Sequence, residues 1–439
     1  MGRRPIDCSH TVQHHASDRI LNISSRVPAL APFRVRSFRF QWPADLATSW
    51  AFEMEILVLG WYVLVESKSV LLFTVFASLL YIGTLIAPMF DVMGDRIGQR
   101  NLLCAMRTVY ATQVTTLMIL IFSGALTPLY VLLIAGIMGL VRPSDLGMRA
   151  ALVGETVPGA QLMGAISIQR IKMDSARIAG ALTGAGLVTL LGMGPAYLAV
   201  VSLYATSVLL TFRTGSPPTH PAARTALEAA RASPWRELKQ GLAYVWATPH
   251  LRALMCLALL LNMTAFPLFI GLLPYVAKEI YHTNQTTLGY MIAGAASGAL
   301  LGSLALSRWG GAIRPARVIL VACAIWYALL LVFAQMQDFV GGILVLVLAG
   351  FAQSLAMIPM AMVLLRNSEA KFRGRIMGMR MLALYGNLPG LLIFGPLVGR
   401  LGYPATASLY CVFGLALALL IALRWRDELW RRAAPANTR

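Results

Sequence analysis

The sequence predicts an all-α polytopic membrane protein: twelve transmembrane helices in two pseudo-symmetric six-helix bundles. Three observations carry this. The 439 residues are 58% hydrophobic and only 13% charged, with a mean hydropathy of +0.69, whereas soluble domains carry about 25% charged residues. Apolar runs able to cross a bilayer, for which about 20 residues suffice, recur twelve times. Motifs in the first half return in the second at a nearly constant offset.

The runs lie at about 41–65, 70–91, 103–124, 127–142, 160–189, 193–212, 250–276, 286–307, 316–336, 339–365, 376–398 and 403–424. Prolines in or at the ends of several, such as Pro88, Pro267, Pro274 and Pro359, are breaks that neighbouring membrane helices can accommodate. The net charge of +19 does not indicate nucleic acid, because the basic residues are scattered through short loops between apolar runs. They alternate from side to side. Arg34, Arg36 and Arg39, then Arg96 and Arg100, Arg142 and Arg149, the 213–249 stretch, Arg308, Arg314 and Arg317, and Arg366 to Arg375 fall on one side with the C-terminal arginines. Lys68, Lys278 and Arg400 fall on the other. Positive residues stay in the cytosol, so both termini are expected there, with an even number of spans.

The expected division is a disordered cytosolic tail at 1–36, a bundle at 37–213, a cytosolic linker at 214–249, a second bundle at 250–425 and a tail at 426–439. No signal peptide or myristoylation motif is visible at the start. In the linker, Ser233-Pro234 reads as a helix start. Trp235, Leu238, Leu242 and Val245 then recur at helical spacing opposite Arg236, Glu237, Lys239 and Gln240. Such a helix either lies on the membrane surface or packs on the bundle. The halves echo one another: Asp95-Arg96-Ile97-Gly98 with Ser307-Arg308-Trp309-Gly310, Gly180 with Gly395, and Gly60 with Gly271. The offsets are 212, 215 and 211, the mark of a six-plus-six duplication.

Between the second and third runs stands Asp91-Val92-Met93-Gly94-Asp95-Arg96-Ile97-Gly98-Gln99-Arg100, read as a very short charged turn. Glycines let the backbone turn tightly, Asp95 suits a helix N-terminus, and Arg96 and Arg100 can hold other helix ends. This Asp-Arg-x-Gly-x-Arg arrangement resembles the loop 2–3 signature of the major facilitator superfamily of secondary transporters. Asp91 replaces its usual first glycine, and Gln99 the first of its two usual basic residues. Gly60-Trp61, Arg149 with Pro143, Arg177-Ile178-Ala179-Gly180, Leu273-Pro274 and Phe372-Arg373-Gly374-Arg375 look like the branch of macrolide-efflux and enterobactin-exporter types. The resemblance implies a gate in which Asp95, Arg96, Gly98 and Arg100 hold the cytosolic side closed, with Asp145 a partner for Arg100 and the region near Arg380 a partner for Asp95.

Charges within membrane spans are costly and mark function or a compensating network. Span one holds Asp45, read as hydrated near the inner end, and Glu53 and Glu55 deeper. Two residues apart on a helix is about 200°, so the glutamates face different ways. Glu55 shares its stripe with Thr48, Ala51 and Tyr62 and is the favoured coupling carboxylate, paired with Arg177 of span five. The resembled fold sets those spans face to face. Arg170, Lys172, Asp174 and Arg177 are also spaced to form a self-neutralised network. Tyr62, Gln113, Asn262, Gln353 and Asn387 are cavity candidates, with Trp61 and Tyr385 as aromatic lining. Gly180, Gly184, Gly294, Gly298 and Gly302 read as close-packing positions. The 177–186 segment resembles the fifth-span exporter motif, with Ala181 in place of its proline.

The five cysteines show no paired spacing, so neither disulfides nor a thiolate metal site is expected. Cys8, His10, His14 and His15 could hold a metal only adventitiously. There is no Walker motif, HExxH or nucleophile motif, which argues against an ATP-driven pump or an enzyme, and no cofactor is expected. The expectation is a monomeric secondary transporter of the bacterial cytoplasmic membrane. It exports a small drug-like or siderophore-like molecule against protons. Uptake by symport is the alternative, and a non-transporting receptor or scaffold the distant one.

Overall fold

The computed structural model describes residues 31–214, 234–309, 315–366, 376, 379–380 and 382–426. The expected tail cluster Cys8, His10, His14 and His15 and the segment Phe372 to Arg375 lie outside them. The helices are α1 (Arg36–Ser67), α2 (Val70–Leu79), α3 (Ala87–Ile97), α4 (Gln99–Phe122), α5 (Pro128–Thr156), α6 (Gly159–Leu191), α7 (Met193–Arg213), α8 (Pro234–Ala247), α9 (Pro249–Ile280), α10 (Gln285–Trp309), α11 (Pro315–Gln335), α12 (Phe339–Arg366), α13 (Asn387–Leu401) and α14 (Tyr403–Arg424). With α2 and α3 counted as one broken span and α8 set aside, these are twelve crossings. Nine described helices are long and apolar enough to span a membrane outright. The other three crossings are the broken pair, the charge-bearing α6, and α13, whose preceding residues are only partly described.

Crossings one to six form one bundle and seven to twelve the other. Between the bundles α2 packs along α13 and α6 along α10. Counting crossings, these seams are two against eleven and five against eight. Replacing each crossing by its counterpart in the other bundle, two by eight and eleven by five, turns one seam into the other, which is the symmetry that a duplicated six-helix unit must show. The end where α1 begins and α14 finishes is the near face, and the opposite end the far face. At the far face Lys278 of α9 donates to the Leu64 carbonyl of α1 at 3.2 Å, and the Thr189 and Thr286 hydroxyls join α6 to α10 at 2.9 Å.

Two spans differ from the sequence expectation. The second is interrupted by a 3₁₀ turn at Ile82–Leu85, and α3 then starts with Pro88 in its first turn. Helix continues through Asp91 and Asp95 to Ile97, so the expected charged turn shrinks to Gly98 alone, whose φ of +86° suits a residue without Cβ. The fourth span runs on to Thr156, some four turns beyond the expected end at 142. Arg142 and Arg149, expected in a loop, are therefore helical. Hydropathy counts each charge as exposed, but Arg149 is paired with Asp145 one turn earlier, and a paired charge can be buried where a free one cannot.

Glycines set the helix spacing. A Cβ on Gly298 would collide with the Val347 carbonyl oxygen, and one on Gly302 would fall 2.8 Å from that of Phe351, so α10 and α12 touch backbone to backbone. Gly294 comes within 3.1 Å of Ile343 by the same measure. Gly180 and Gly184 bring α6 against Glu53 and Met54 of α1, at 2.6 and 3.2 Å. The linker helix α8 packs on α9 through the buried Val245, while Leu242 and Trp246 are exposed.

Candidate functional site

The first bundle gathers its charges into three places, at different depths and on different faces of α1. The deepest-buried is a hub on Asp45, which is wholly buried. Its carboxylate accepts from Arg107 of α4, from Gln169 at 3.2 Å and Lys172 at 3.4 Å, both on α6, and lies 3.8 Å from Arg149 of α5. Arg149 also pairs with Asp145 and donates to Ser49 at 2.9 Å, while Gln41 donates to the Arg149 carbonyl at 3.0 Å. Arg107 reaches Thr211 of α7. Asp45 is thus not the hydrated residue expected near a helix end. The expected Asp145–Arg100 contact is replaced by Asp145–Arg149, because α5 continues as helix and places Arg149 at i+4. Arg100 instead donates to the Phe212 carbonyl. The side chains of Asp95 and Arg96 lie outside the described residues.

The second place is partly open. Arg177 of α6 lies 3.6 Å from Glu53, with the two side chains 27% and 19% exposed. Arg142 of α5 sits over the ring of Phe52 and within electrostatic reach of Glu53. Tyr81, between α2 and α3, lies within reach of all three charges. The direction they face follows from α6. Arg177 is one turn from Ala181, whose carbonyl lies 2.9 Å from a Cβ built on Gly289 of α10. Residues at i and i+4 share a face, so Arg177 points toward the space between the bundles, one turn to the near side of their contact. Below it, Arg170 pairs with the buried Asp174 at 3.3 Å, and Arg380 of the other bundle is within reach of Arg170.

The third place is sealed. Glu55 is 1% exposed and accepts from Tyr204 of α7 at 3.0 Å. The expected Glu55–Arg177 pair is therefore corrected to Glu53–Arg177. Gly180 and Gly184 draw α6 onto the Trp50–Glu53–Met54 side of α1, and the 200° offset turns Glu55 away toward α7. The hydroxyls of Tyr110 and Tyr197 and the amide of Gln113 are buried near this level with no hydrogen-bond partner among the described residues.

The cavity candidates separate by role. Tyr62 donates to the Leu126 carbonyl at 2.9 Å. Asn387 donates to Asn262 at 3.0 Å, joining α13 to α9, and Gln353 is 8% exposed. Arg107 was missed by sequence reading, a single arginine in an otherwise apolar run being the available signal, and Arg142 was read only as an inner-side basic residue. A groove of about 480 Å³ between α4 and α7 is lined by Thr108, Thr112, Thr115 and Thr116. Their hydroxyls all bond carbonyls of their own helix, and the groove holds no charge.

Solved structures resemble this chain closely in fold. The POT family transporter PepTSo superposes with a TM-score of 0.69 at 14% identity, over 90% of this chain and 99% of that one. The nucleoside transporter NupG gives 0.63 at 16%, over 89% and 99%. The human organic anion transporter MFSD10 (TETRAN) gives 0.62 at 15%, over 88% and 99%. No curated protein matches the sequence. A family model described as Major Facilitator Superfamily matches residues 46–390, and with that match over most of its length the chain belongs to the major facilitator superfamily.

Proposed function

We propose that the protein is a proton-coupled secondary transporter that carries a small molecule between its two bundles by alternating access. The observation that carries this is the Glu53–Arg177 pair, half open at mid-depth beside Arg142. An ion pair facing the inter-bundle space at that depth is costly unless it is used. Glu53, rather than the sealed Glu55, is the coupling carboxylate. It touches both the open space and a partner whose departure changes its charge balance, and a proton can bias only states that bind it differently. The near face is taken as cytosolic in a bacterial inner membrane, on the positive residues that gather there. A monomer suffices, since both bundles lie in one chain. Neighbours named for nucleosides and organic anions are in keeping with a small polar cargo.

Export is the reading that the α6 segment 177–186 supports through its likeness to the exporter motif and to the macrolide-efflux and enterobactin-exporter branch. Uptake by symport is favoured instead by the Glu53–Arg177 pair, because a cargo that takes Arg177 frees Glu53 to accept a proton. The test uses proteoliposomes loaded with a small-molecule extract of bacterial cells, with and without an imposed proton gradient, and mass spectrometry of what crosses. Gradient-dependent movement of a defined compound is expected, lost in Glu53→Gln and retained in Glu55→Gln. Retention in Glu53→Gln with loss in Glu55→Gln reverses the assignment, and indifference to the gradient ends the coupling reading. The direction relative to the proton gradient separates export from symport.

A further inference from the structure

We propose that Arg142 and Arg177, with the Tyr81 hydroxyl beside them, form an oxyanion subsite that binds a carboxylate or phosphate group of the transported molecule. This names a substrate class for the site above and rests on the transport reading. Three observations lead to it. First, the charges facing the inter-bundle space do not cancel. On that side Glu53 supplies one negative charge against the guanidiniums of Arg142 and Arg177, and the other carboxylate within electrostatic reach of Arg142, Glu55, is sealed away on Tyr204. No described acidic side chain lies within ion-pair distance of Arg142. It rests instead on the face of Phe52, a cation–π contact that holds the guanidinium in place without consuming its charge. A guanidinium half-buried in a low-dielectric setting, with carboxylates in reach but none in contact, is a site that an anion completes.

Second, the one carboxylate present is loosely held. Arg177 meets Glu53 through Nε at 3.6 Å, beyond charge-assisted hydrogen-bond length. Its terminal nitrogens donate to no described residue. Planar guanidiniums match carboxylate and phosphate oxygens with two parallel bonds, so a ligand oxyanion competes with Glu53 on favourable geometric terms. Third, the facing bundle offers nothing charged at this depth. The described parts of α9 to α13 present the Asn262–Asn387 amide pair and no ionised side chain between Leu254 and Ala277 or between Leu382 and Gly399. The expected ligand is therefore anionic at one end and neutral at the other. Displacement of Glu53 from Arg177 gives the site its second property: anion binding and protonation of Glu53 favour each other.

The probes are 2-naphthoate, 2-naphthyl phosphate, 2-naphthamide and 2-naphthamidine, one ring system carrying two kinds of oxyanion, a neutral amide and a cation. Thermal unfolding of the purified full-length protein in detergent is followed as each is titrated. One or both anions should raise the melting temperature while the amide and amidine do not, and whichever anion acts identifies carboxylate or phosphate. Arg142→Gln should weaken the anion at least about tenfold, the equivalent of roughly 1.4 kcal/mol, and Arg142→Lys should retain part of the effect. Glu53→Gln, which removes the competing carboxylate, should tighten it. Stabilisation by the amidine, an anion effect undiminished in Arg142→Gln, a weaker anion in Glu53→Gln, or no response to any probe would overturn the proposal. None of these outcomes depends on flux, so an anion site without gradient-driven transport would retire the coupling reading and leave this one standing.

Discussion

The two bundles share one fold and are held together by different chemistry. The first is cross-linked by buried ions, with Asp45 tied to α4, α5 and α6. The second has no buried ion pair among its described residues and relies on backbone contact, aromatic packing and neutral hydrogen bonds. Gly298, Gly302 and Gly350 bring α10 and α12 together, and the buried Trp326 meets Phe266 and Phe269 edge to face at 5.2 and 5.6 Å. The Thr264 and Tyr327 hydroxyls bond at 2.6 Å. In a bilayer the lipid is as apolar as leucine, so helices associate through close packing or through polar bonds. Both halves use close packing and neutral polar bonds, but the described buried ion pairs lie in the first, which is the half that can sense charge.

Substitutions can break this contrast. Asp45→Asn should be the most damaging, since it leaves Arg107, Lys172 and Arg149 around a group that no longer balances them. Breaking a buried ionic pair costs about 3–5 kcal/mol, read as a lower melting temperature and poor recovery of folded protein; a mild effect would mean that water already compensates the hub. Gly298→Ala comes next, at about 1–3 kcal/mol, because a methyl cannot occupy the space held by the Val347 carbonyl. Gly186→Ala, with nothing within 4 Å of its added Cβ, is its matched control and should unfold like the parent. Asn387→Ala should cost less, about 0.6 kcal/mol and no more than about 1.7 kcal/mol, the mean and maximum for polar bonds between membrane helices. If it equals Asp45→Asn, the two bundles do not differ as described. The exposed Lys278–Glu279 contact at 3.4 Å should matter least: Glu279→Gln is expected within about 1 kcal/mol of the parent.

Much of the architecture was legible in the sequence. Run length and the 211–215 offsets anticipated twelve crossings in two related halves, because both signals can be read along the chain without knowing which helices touch. The pairing of charges was not legible. Helical spacing showed that Glu53 and Glu55 point apart, but the choice between them depended on which neighbour comes closer. That is decided by Gly180 and Gly184 on another helix. The end of α5 was misjudged for a related reason: hydropathy treats Arg142 and Arg149 as costs, whereas Phe52 and Asp145 make them tolerable. Arg107 passed unnoticed because its partner lies 62 residues earlier, a separation with no local signature.

The Asp45 hub has a mechanical consequence. It fastens α1 to α4, α5 and α6 at one level, and Arg107 extends the fastening to α7 through Thr211. Sliding or turning any of these helices within the bundle would strand a buried charge, so internal shear is stiff. The far-face seams are built otherwise. Gly289 lies against Ala181 and Ala185, Gly395 against Thr74, and Thr189 bonds Thr286. No described ion pair crosses them. Opening that side parts small side chains and a few hydrogen bonds rather than opposite charges. The barrier to far-face opening should then be set by packing and hydration, with little sensitivity to the ionic strength of the bathing solution.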